Sequence, residues 1–277
     1  MRKKLALILC MLLAGAGMLT GCSVGAPGSA SALLERSRSK SPDNYHIKGE
    51  VTTDISATAA GYSLEFPMGM DMDLDVNGGN EYGTVSVKMT LTGQEIDETA
   101  EVYVVNEEEG ALVYSRTKNS EWTKSSRAEA TDITGMGTAL LDNASFDEAE
   151  FEYDKEAGTY KVTTKMGTLL ANEEYRKALE EYYATAFGTL NMTDEKIGDM
   201  IDSMADAEIT YIFEDKGYTL TNANVSDLVY ETSMESSGIP ITMSVKQNMN
   251  FDFSEYGNIT PEEVAVPEDV VSSAVEQ

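Results

Sequence analysis

The chain has 277 residues, of which 48 are acidic and 20 are basic, so its formal net charge at pH 7 is −28. A surface this acidic is repelled by phosphate backbones and anionic headgroups, which excludes nucleic acid as a partner. The hydrophobic fraction of 42% is too high for a disordered acidic segment, so the charge belongs to the solvent-exposed surface of a folded domain.

Residues 1–21 have the features of an export signal. Three basic residues at positions 2–4 precede an apolar run over positions 5–20, which is the order of the n-region and h-region of a signal peptide. Glycines interrupt the run, and it is shorter than the stretch of about 20 apolar residues that a membrane span needs. We therefore expect this segment to direct export and then to be removed.

The end of this segment predicts a lipid anchor. Leu19-Thr20-Gly21-Cys22 resembles the lipobox of bacterial lipoproteins, in which the cysteine sulfur accepts a diacylglycerol. The resemblance implies that Cys22 is the acylated first residue of the mature protein, which is then held at the extracytoplasmic face of the cell membrane. The alternative is an ordinary secretory signal, which would leave Cys22 as a lone thiol. Cys10 lies within the signal, so the mature chain has no internal disulfide.

The segment 22–43 is rich in Ser, Gly and Ala and predicts a flexible tether. Positions 32–40 within it predict one or two turns of helix. Without the three basic residues of the signal, the mature chain carries 17 basic and 48 acidic residues and a net charge of −31. The following segment, 44–258, is predicted to form a single domain, and 259–277 a C-terminal tail.

Alternation of apolar and polar residues predicts that this domain is built from strands with one buried face. The clearest alternation covers 45–51, 68–75, 85–91 and 239–253, and shorter strands are predicted at 98–106, 111–117, 120–124, 150–154, 159–166, 207–214 and 218–227. The segment 239–253 is well above the usual strand length, which favours a large curved sheet.

Two segments change to the helical period. Residues 173–187 and 193–205 each place apolar side chains on one side, and Thr193 is a candidate N-cap of the second helix. A shorter helix is predicted near 137–141. The predicted fold class is therefore α+β: a long curved antiparallel sheet, or half-barrel, covered on one face by amphipathic helices.

The order of these elements resembles the LolA, LolB and LppX family of envelope lipoproteins. The shared features are the lipobox, a tether ending in a short helix, three long strands, a strand pair carrying Tyr103, Tyr114 and Trp122, helices, and further long strands. The stretch from Phe253 to Pro267 is also similar to uncharacterised Gram-positive lipoproteins. The resemblance implies a curved sheet closed on one side by helices, with an apolar cavity that holds acyl chains in the better-known relatives.

Methionines predict where such a ligand would bind. Twelve of the 15 methionines follow the signal, and many fall on apolar strand faces, where a flexible, polarizable side chain suits variable apolar ligands. The candidate ligand-binding residues are Met70, Met72, Met89, Met243 and Met249. The alternative is that these side chains only fill the core.

The chain has few candidates for a metal or a catalytic site. Asp73, Asp75 and Asn77, followed by Gly78, match the start of a calcium loop, with Glu81 as an additional ligand. The bidentate glutamate expected at position twelve is absent, and the surrounding alternation predicts a strand. His46 is the single histidine, so no histidine-based metal site or serine triad is expected.

These observations predict a non-enzymatic, lipid-anchored envelope protein with no cofactor. Its partners would be the membrane, through the lipid on Cys22, and an apolar or amphipathic, acyl-type ligand between sheet and helices. The alternative is an interaction or sensor module with a filled core, no ligand, and another envelope protein as its partner.

Overall fold

The structure is a computed structural model that describes residues 26–91, 93–107, 110–127, 146, 148–186, 193–236 and 239–276. The export signal and Cys22 lie outside these residues, as does the short helix predicted at 137–141. None of the helices in the described ranges is both long enough and apolar enough to cross a membrane.

The described strands form one large, open sheet. In chain order they are β1 (Asn44–Ala59), β2 (Tyr62–Asn77), β3 (Asn80–Leu91), β4 (Gln94–Glu107), β5 (Gly110–Thr117), β6 (Thr123–Arg127), β7 (Glu150–Asp154), β8 (Thr159–Lys165), β9 (Glu208–Glu214), β10 (Leu220–Ser236), β11 (Ile239–Ser254) and β12 (Val275–Glu276). Their spatial order is β12-β6-β5-β4-β3-β2-β1-β11-β10-β9-β8-β7. The pairing is antiparallel except between β12 and β6, and the sheet is not closed into a barrel.

The middle strands are longer than their alternation predicts. β1 and β2 have 16 residues each, whereas the sequence predicts only 45–51 and 68–75. The residues that were missed include Thr53, Ala57 and Pro67, which weaken the contrast between an apolar and a polar face. β10 is likewise extended to Ser236.

The sheet has one apolar and one polar face, because side chains alternate along each strand. Ile47 of β1 lies between Leu74 of β2 and Phe253 of β11, and all three side chains are buried. We call this side the inner face. The opposite side, the outer face, carries charged residues such as Lys48 and Asp73.

Helices cover part of the inner face, as the sequence predicts. The described helices are α1 (Ala30–Lys40), α2 (Met166–Leu170), α3 (Glu173–Ala186), α4 (Asp194–Ser203) and α5 (Glu268–Ser273). Apolar residues of α1 to α4 are buried in the main core with the inner face. Thr193 caps α4 by accepting a hydrogen bond from the backbone N–H of Lys196. The α+β fold with an antiparallel sheet covered by amphipathic helices is therefore confirmed.

The C-terminal residues pack on the outer face of β3 to β6. Val270 of α5 is buried in a small separate core with Tyr103, Tyr114 and Trp122. Beyond α5, the backbone N–H of Val275 donates to the carbonyl of Trp122 at 2.9 Å, and β12 pairs with β6. The segment that the sequence marks only as a tail is thus attached to the same sheet.

The hairpin turns of the long strands define the two ends of the sheet. The β1–β2 turn at 60–61, the end of β3 with the start of β4, and the end of β10 with the start of β11 lie at one end, which we call the distal end. The opposite end holds the β2–β3 turn at 78–79 and the start of β1, which follows α1.

Candidate functional site

The five methionines proposed as an apolar site all project from the inner face. The register of β1, β2, β3 and β11 places Met70, Met72, Met89, Met243 and Met249 on that side. Met72 and Met249 are buried, whereas the other three are half-buried. The structure therefore brings the methionines to one face but divides them between the core and a more open region.

A small cavity lies between the sheet and helices α2 to α4. Its volume is about 40 Å³, whereas ligand pockets typically have roughly 300–1,000 Å³. Its apolar lining includes Met166, Leu179, Tyr183, Met204, Tyr211 and Met249. Met249 is the single one of the five candidate methionines in this lining. The cavity is too small for an acyl chain, so the helices pack closely on this half of the inner face.

Toward the distal end the inner face is no longer fully covered. The residues of this part, here called the distal inner face, are Ile55, Tyr62, Leu64, Phe66, Met68, Val87, Met89, Ile96 and Met243. Tyr62, Leu64 and Ile96 are 82%, 43% and 38% exposed, and the other six are half-buried. Contiguous exposed apolar patches on soluble proteins usually mark binding or interaction sites.

Two contacts lie between the cavity and the distal inner face. Thr53 is only 4% exposed, and its hydroxyl accepts a hydrogen bond from the side-chain amide of Gln247 at 3.1 Å. Tyr183 of α3 packs against Tyr230 of β10, with ring centroids 6.3 Å apart. Along the strands, these residues lie between the part of the inner face that α2 to α4 cover, here called the closed half, and the distal inner face.

Two buried tyrosine hydroxyls lie at the closed half. The hydroxyl of Tyr211, which lines the cavity, has no hydrogen-bond partner within the described chain, and burial raises its pKa. The hydroxyl of Tyr175 donates to the sulfur of Met166 at 3.5 Å, a weak acceptor. Burial, with Tyr211 and Tyr183 nearby, raises the pKa of Tyr175 well above its ordinary value. Both groups are therefore neutral at physiological pH and unsuited to act as nucleophiles.

The calcium candidates lie on the outer face, where His46 contacts two of them. The Nδ1 atom of His46 is 2.7 Å from Oδ1 of Asp75, and its Nε2 atom is 3.2 Å from Oδ1 of Asp73. Asn77 instead donates to the carbonyl of Ile259 at 2.7 Å. Within the residues that the structure describes, no group of three or more His, Cys, Asp and Glu side chains is arranged to hold a metal.

Two glutamates project from the inner face, on the opposite side from the aspartates. Glu81, considered as an additional calcium ligand, is 5% exposed beside Val76 and Val104. Glu98 is exposed and lies opposite Val87 at the distal inner face. Sequence reasoning did not single out Glu98, although its register in β4 follows from the alternation through residues 96–104.

A shallow cleft of about 330 Å³ lies near the distal end, lined largely by polar residues of the outer face. Its charged residues, Asp54, Glu65 and Lys246, are exposed to solvent. The ammonium of Lys246 is 2.7 Å from a carboxylate oxygen of Asp227, which raises the pKa of Lys246. The cation of the cleft is therefore already paired.

Comparison with known proteins places the chain in a family. It belongs to the family of unknown function DUF6612, whose pattern matches residues 31–275. No curated protein matches the chain. The crystal structure of a DUF1329 family protein from Desulfovibrio piger is similar at 10% identity, with 84% of this chain and 94% of that chain covered and a TM-score of 0.24. A TM-score this low carries no argument about fold or function.

Proposed function

We propose that this DUF6612 protein is a non-enzymatic, lipid-anchored envelope protein that binds an apolar or amphipathic ligand on its inner face. The observation that carries the proposal is the distal inner face, where nine large apolar side chains lie together and none is buried. The element order that resembles LolA, LolB and LppX is compatible with such a role. The ligand site is placed on the distal inner face and not under the helices, because the cavity there is about 40 Å³.

Two properties of this surface, and the proposed lipid anchor, favour a flexible acyl-type chain as the ligand. It continues the apolar core without a break in strand register, so a chain lying on it would extend the core outward. Met68, Met89 and Met243 contribute side chains that adapt to variable shapes. The proposed anchor on Cys22 would also keep the domain beside a membrane, which is a source of acyl chains.

The alternative is a protein partner that covers the same surface. The close packing of α2 to α4 on the other half of the inner face favours it, because a filled core was the expectation for an interaction module. A partner protein would bury the distal inner face without needing an internal cavity. The two functions differ in whether a small amphiphile binds to the isolated protein.

Native mass spectrometry and lipid extraction on residues 23–277, purified without the anchor, test for a ligand that co-purifies. Calorimetry then measures the affinity for decyl maltoside below its critical micelle concentration. Met89→Gln should weaken binding about tenfold, because roughly 1–1.5 kcal/mol of apolar contact is lost. Thr90→Gln is the matched control, since Thr90 is the exposed neighbour on the outer face. Its affinity should equal that of the unmodified protein.

A co-purifying acyl compound, or Met89-dependent binding of the maltoside, would support the ligand-binding role. A clean ligand-free mass together with no binding of decyl maltoside would sink it and turn the search to protein partners.

The proposed anchor has its own test in the full-length chain expressed in a bacterial host. Cys22→Ser should abolish incorporation of labelled palmitate, because the sulfur that would accept the diacylglycerol is removed. Cys10→Ser, within the signal, is the control and should leave the labelling unchanged. Continued labelling of the Cys22→Ser variant would refute the anchor.

A further inference from the structure

The basic residues of the central strands are confined to the outer face, which also carries most of the acidic residues of these strands. Within β1 to β4, β10 and β11, as the structure describes them, the basic residues and the histidine all project from the outer face. They are His46, Lys48, Lys88 and Lys246. The inner face of the same strands carries Glu81 and Glu98 as its charged residues. An amphiphile lying on the inner face of these six strands therefore meets carboxylates and no cation carried by them.

Glu98 is the carboxylate that a ligand on the distal inner face would meet. In register it lies opposite Val87, one inner-facing position from the pair Met89 and Ile96, and it is exposed. Glu81 is buried and lies toward the other end of the strand pair. The exposed carboxylate therefore stands at the rim of the distal inner face, beside Val87, Met89 and Ile96.

Lys196 of α4 is a basic residue near the distal end, but it lies several strands away from Glu98. Its ammonium donates to the backbone carbonyl of Ser233 on β10 at 2.6 Å, and β10 is the fifth strand from β4 in the sheet. At about 4.8 Å per strand, the two charges are on the order of 20 Å apart along the sheet, beyond the screening length of about 8 Å at physiological salt. The whole chain adds a net charge of −28, whose field attracts cations and repels anions. Local and global electrostatics thus have the same sign at this surface.

We propose that the distal inner face selects amphiphiles with a cationic head over anionic ones, with Glu98 pairing with the head while the chain lies on Phe66, Met68 and Met89. The inference rests on the proposed function, since it requires the same surface to bind an apolar chain. Complementary charge at the rim of an apolar surface gives selectivity more than raw affinity. Carboxylate and sulfate heads are repelled by Glu98, whereas an ammonium head gains a partner.

The test compares three detergents with the same decyl chain, each below its critical micelle concentration and at one ionic strength: decyltrimethylammonium, decyl maltoside and decyl sulfate. We expect the cation to bind about tenfold more tightly than the maltoside, and the sulfate about tenfold more weakly or not at all. Glu98→Gln should reduce the advantage of the cation over the maltoside by about two- to fivefold. Glu95→Gln removes one charge from the outer face of the same strand and should leave that advantage unchanged.

The outcomes separate the inference from the function on which it rests. Equal binding of the three detergents, each weakened by Met89→Gln, would overturn charge selection and leave ligand binding standing. If Glu98→Gln and Glu95→Gln reduce the preference for the cation equally, the preference comes from the overall charge of the protein. That result would overturn the role of Glu98. Binding of none of the three would contradict the proposed function itself.

Discussion

Gly83→Ala is expected to lower the free energy of unfolding by about 3 kcal/mol, at the upper end of the usual cost of overpacking a core. Gly83 is an inner-facing residue of β3, opposite Leu74 of β2. A Cβ atom there would lie 2.9 Å from Cα of Leu74 and 3.0 Å from the carbonyl carbon of Asp73. Both are backbone atoms, so no side-chain rotation relieves the contact, and β2 and β3 must separate locally.

Gly69→Ala is the matched control, because Gly69 lies within the neighbouring strand β2 and a Cβ atom there would meet nothing within 4 Å. Glycine inside a strand costs roughly 0.5–1 kcal/mol relative to alanine, so this variant should be as stable as the unmodified protein or slightly more stable. Urea unfolding followed by circular dichroism measures both variants, and the melting temperature of Gly83→Ala should fall by roughly 5–10 °C. Equal stability of the two variants would refute the close approach of β2 and β3 at Gly83.

Much of the sheet could be predicted from the alternation of side chains. The register shows why: residues at every second position of β1, β2 and β11 share one buried face, so an apolar period of two is the direct consequence of the fold. The helical stripe that includes Ile197, Met200 and Ile201 was predicted for the same reason, and these residues are buried in α4.

The short elements could not be predicted in the same way. α2 has five residues and α5 has six, which is too few for a helical period to stand out. β12 consists of Val275 and Glu276 and is recognisable only from its pairing with β6. The spacing of Val266, Val270 and Ala274 was an available signal, since apolar residues four apart lie on one side of a helix.

The apolar face that carries the candidate methionines could be predicted from the sequence, but the extent of its helical cover could not. Alternation identifies which face of a strand is apolar, and it placed all five methionines on that face. It does not tell how far the helices extend over the face, because cover depends on contacts between segments distant in the sequence. The division of the methionines between Met249 at the closed cavity and Met89 on the open surface therefore required the structure.

The C-terminal segment gives the outer face a second apolar core. Tyr82 and Tyr103 stack with ring centroids 4.4 Å apart, and Tyr103 packs against Trp122 at 5.6 Å. The guanidinium of Arg116 lies 4.6 Å from the Trp122 ring. Without α5 these rings would form an exposed aromatic patch on an acidic protein, so the segment's contacts keep the outer face polar.

Val270→Asp should detach α5 from this core, with a loss of about 3 kcal/mol of local stability. Val270 is 5% exposed among Tyr103, Tyr114 and Trp122. Losing the burial of a valine costs roughly 1.5–3 kcal/mol, and a carboxylate left unpaired among aromatic rings adds to that cost. The loss is large relative to the few contacts that hold a six-residue helix and a two-residue strand.

Trp122 is the single tryptophan of the chain, so its fluorescence reports this detachment directly. The emission of Val270→Asp should shift to longer wavelength, and iodide should quench it more strongly, because Trp122 passes from 7% exposed to contact with water. Val271→Asp introduces the same charge at the next residue, which is 50% exposed, and should leave both signals unchanged. If both variants keep the emission of the unmodified protein, Val270 does not hold α5 on the aromatic rings; if both shift, the added charge and not the lost packing is responsible.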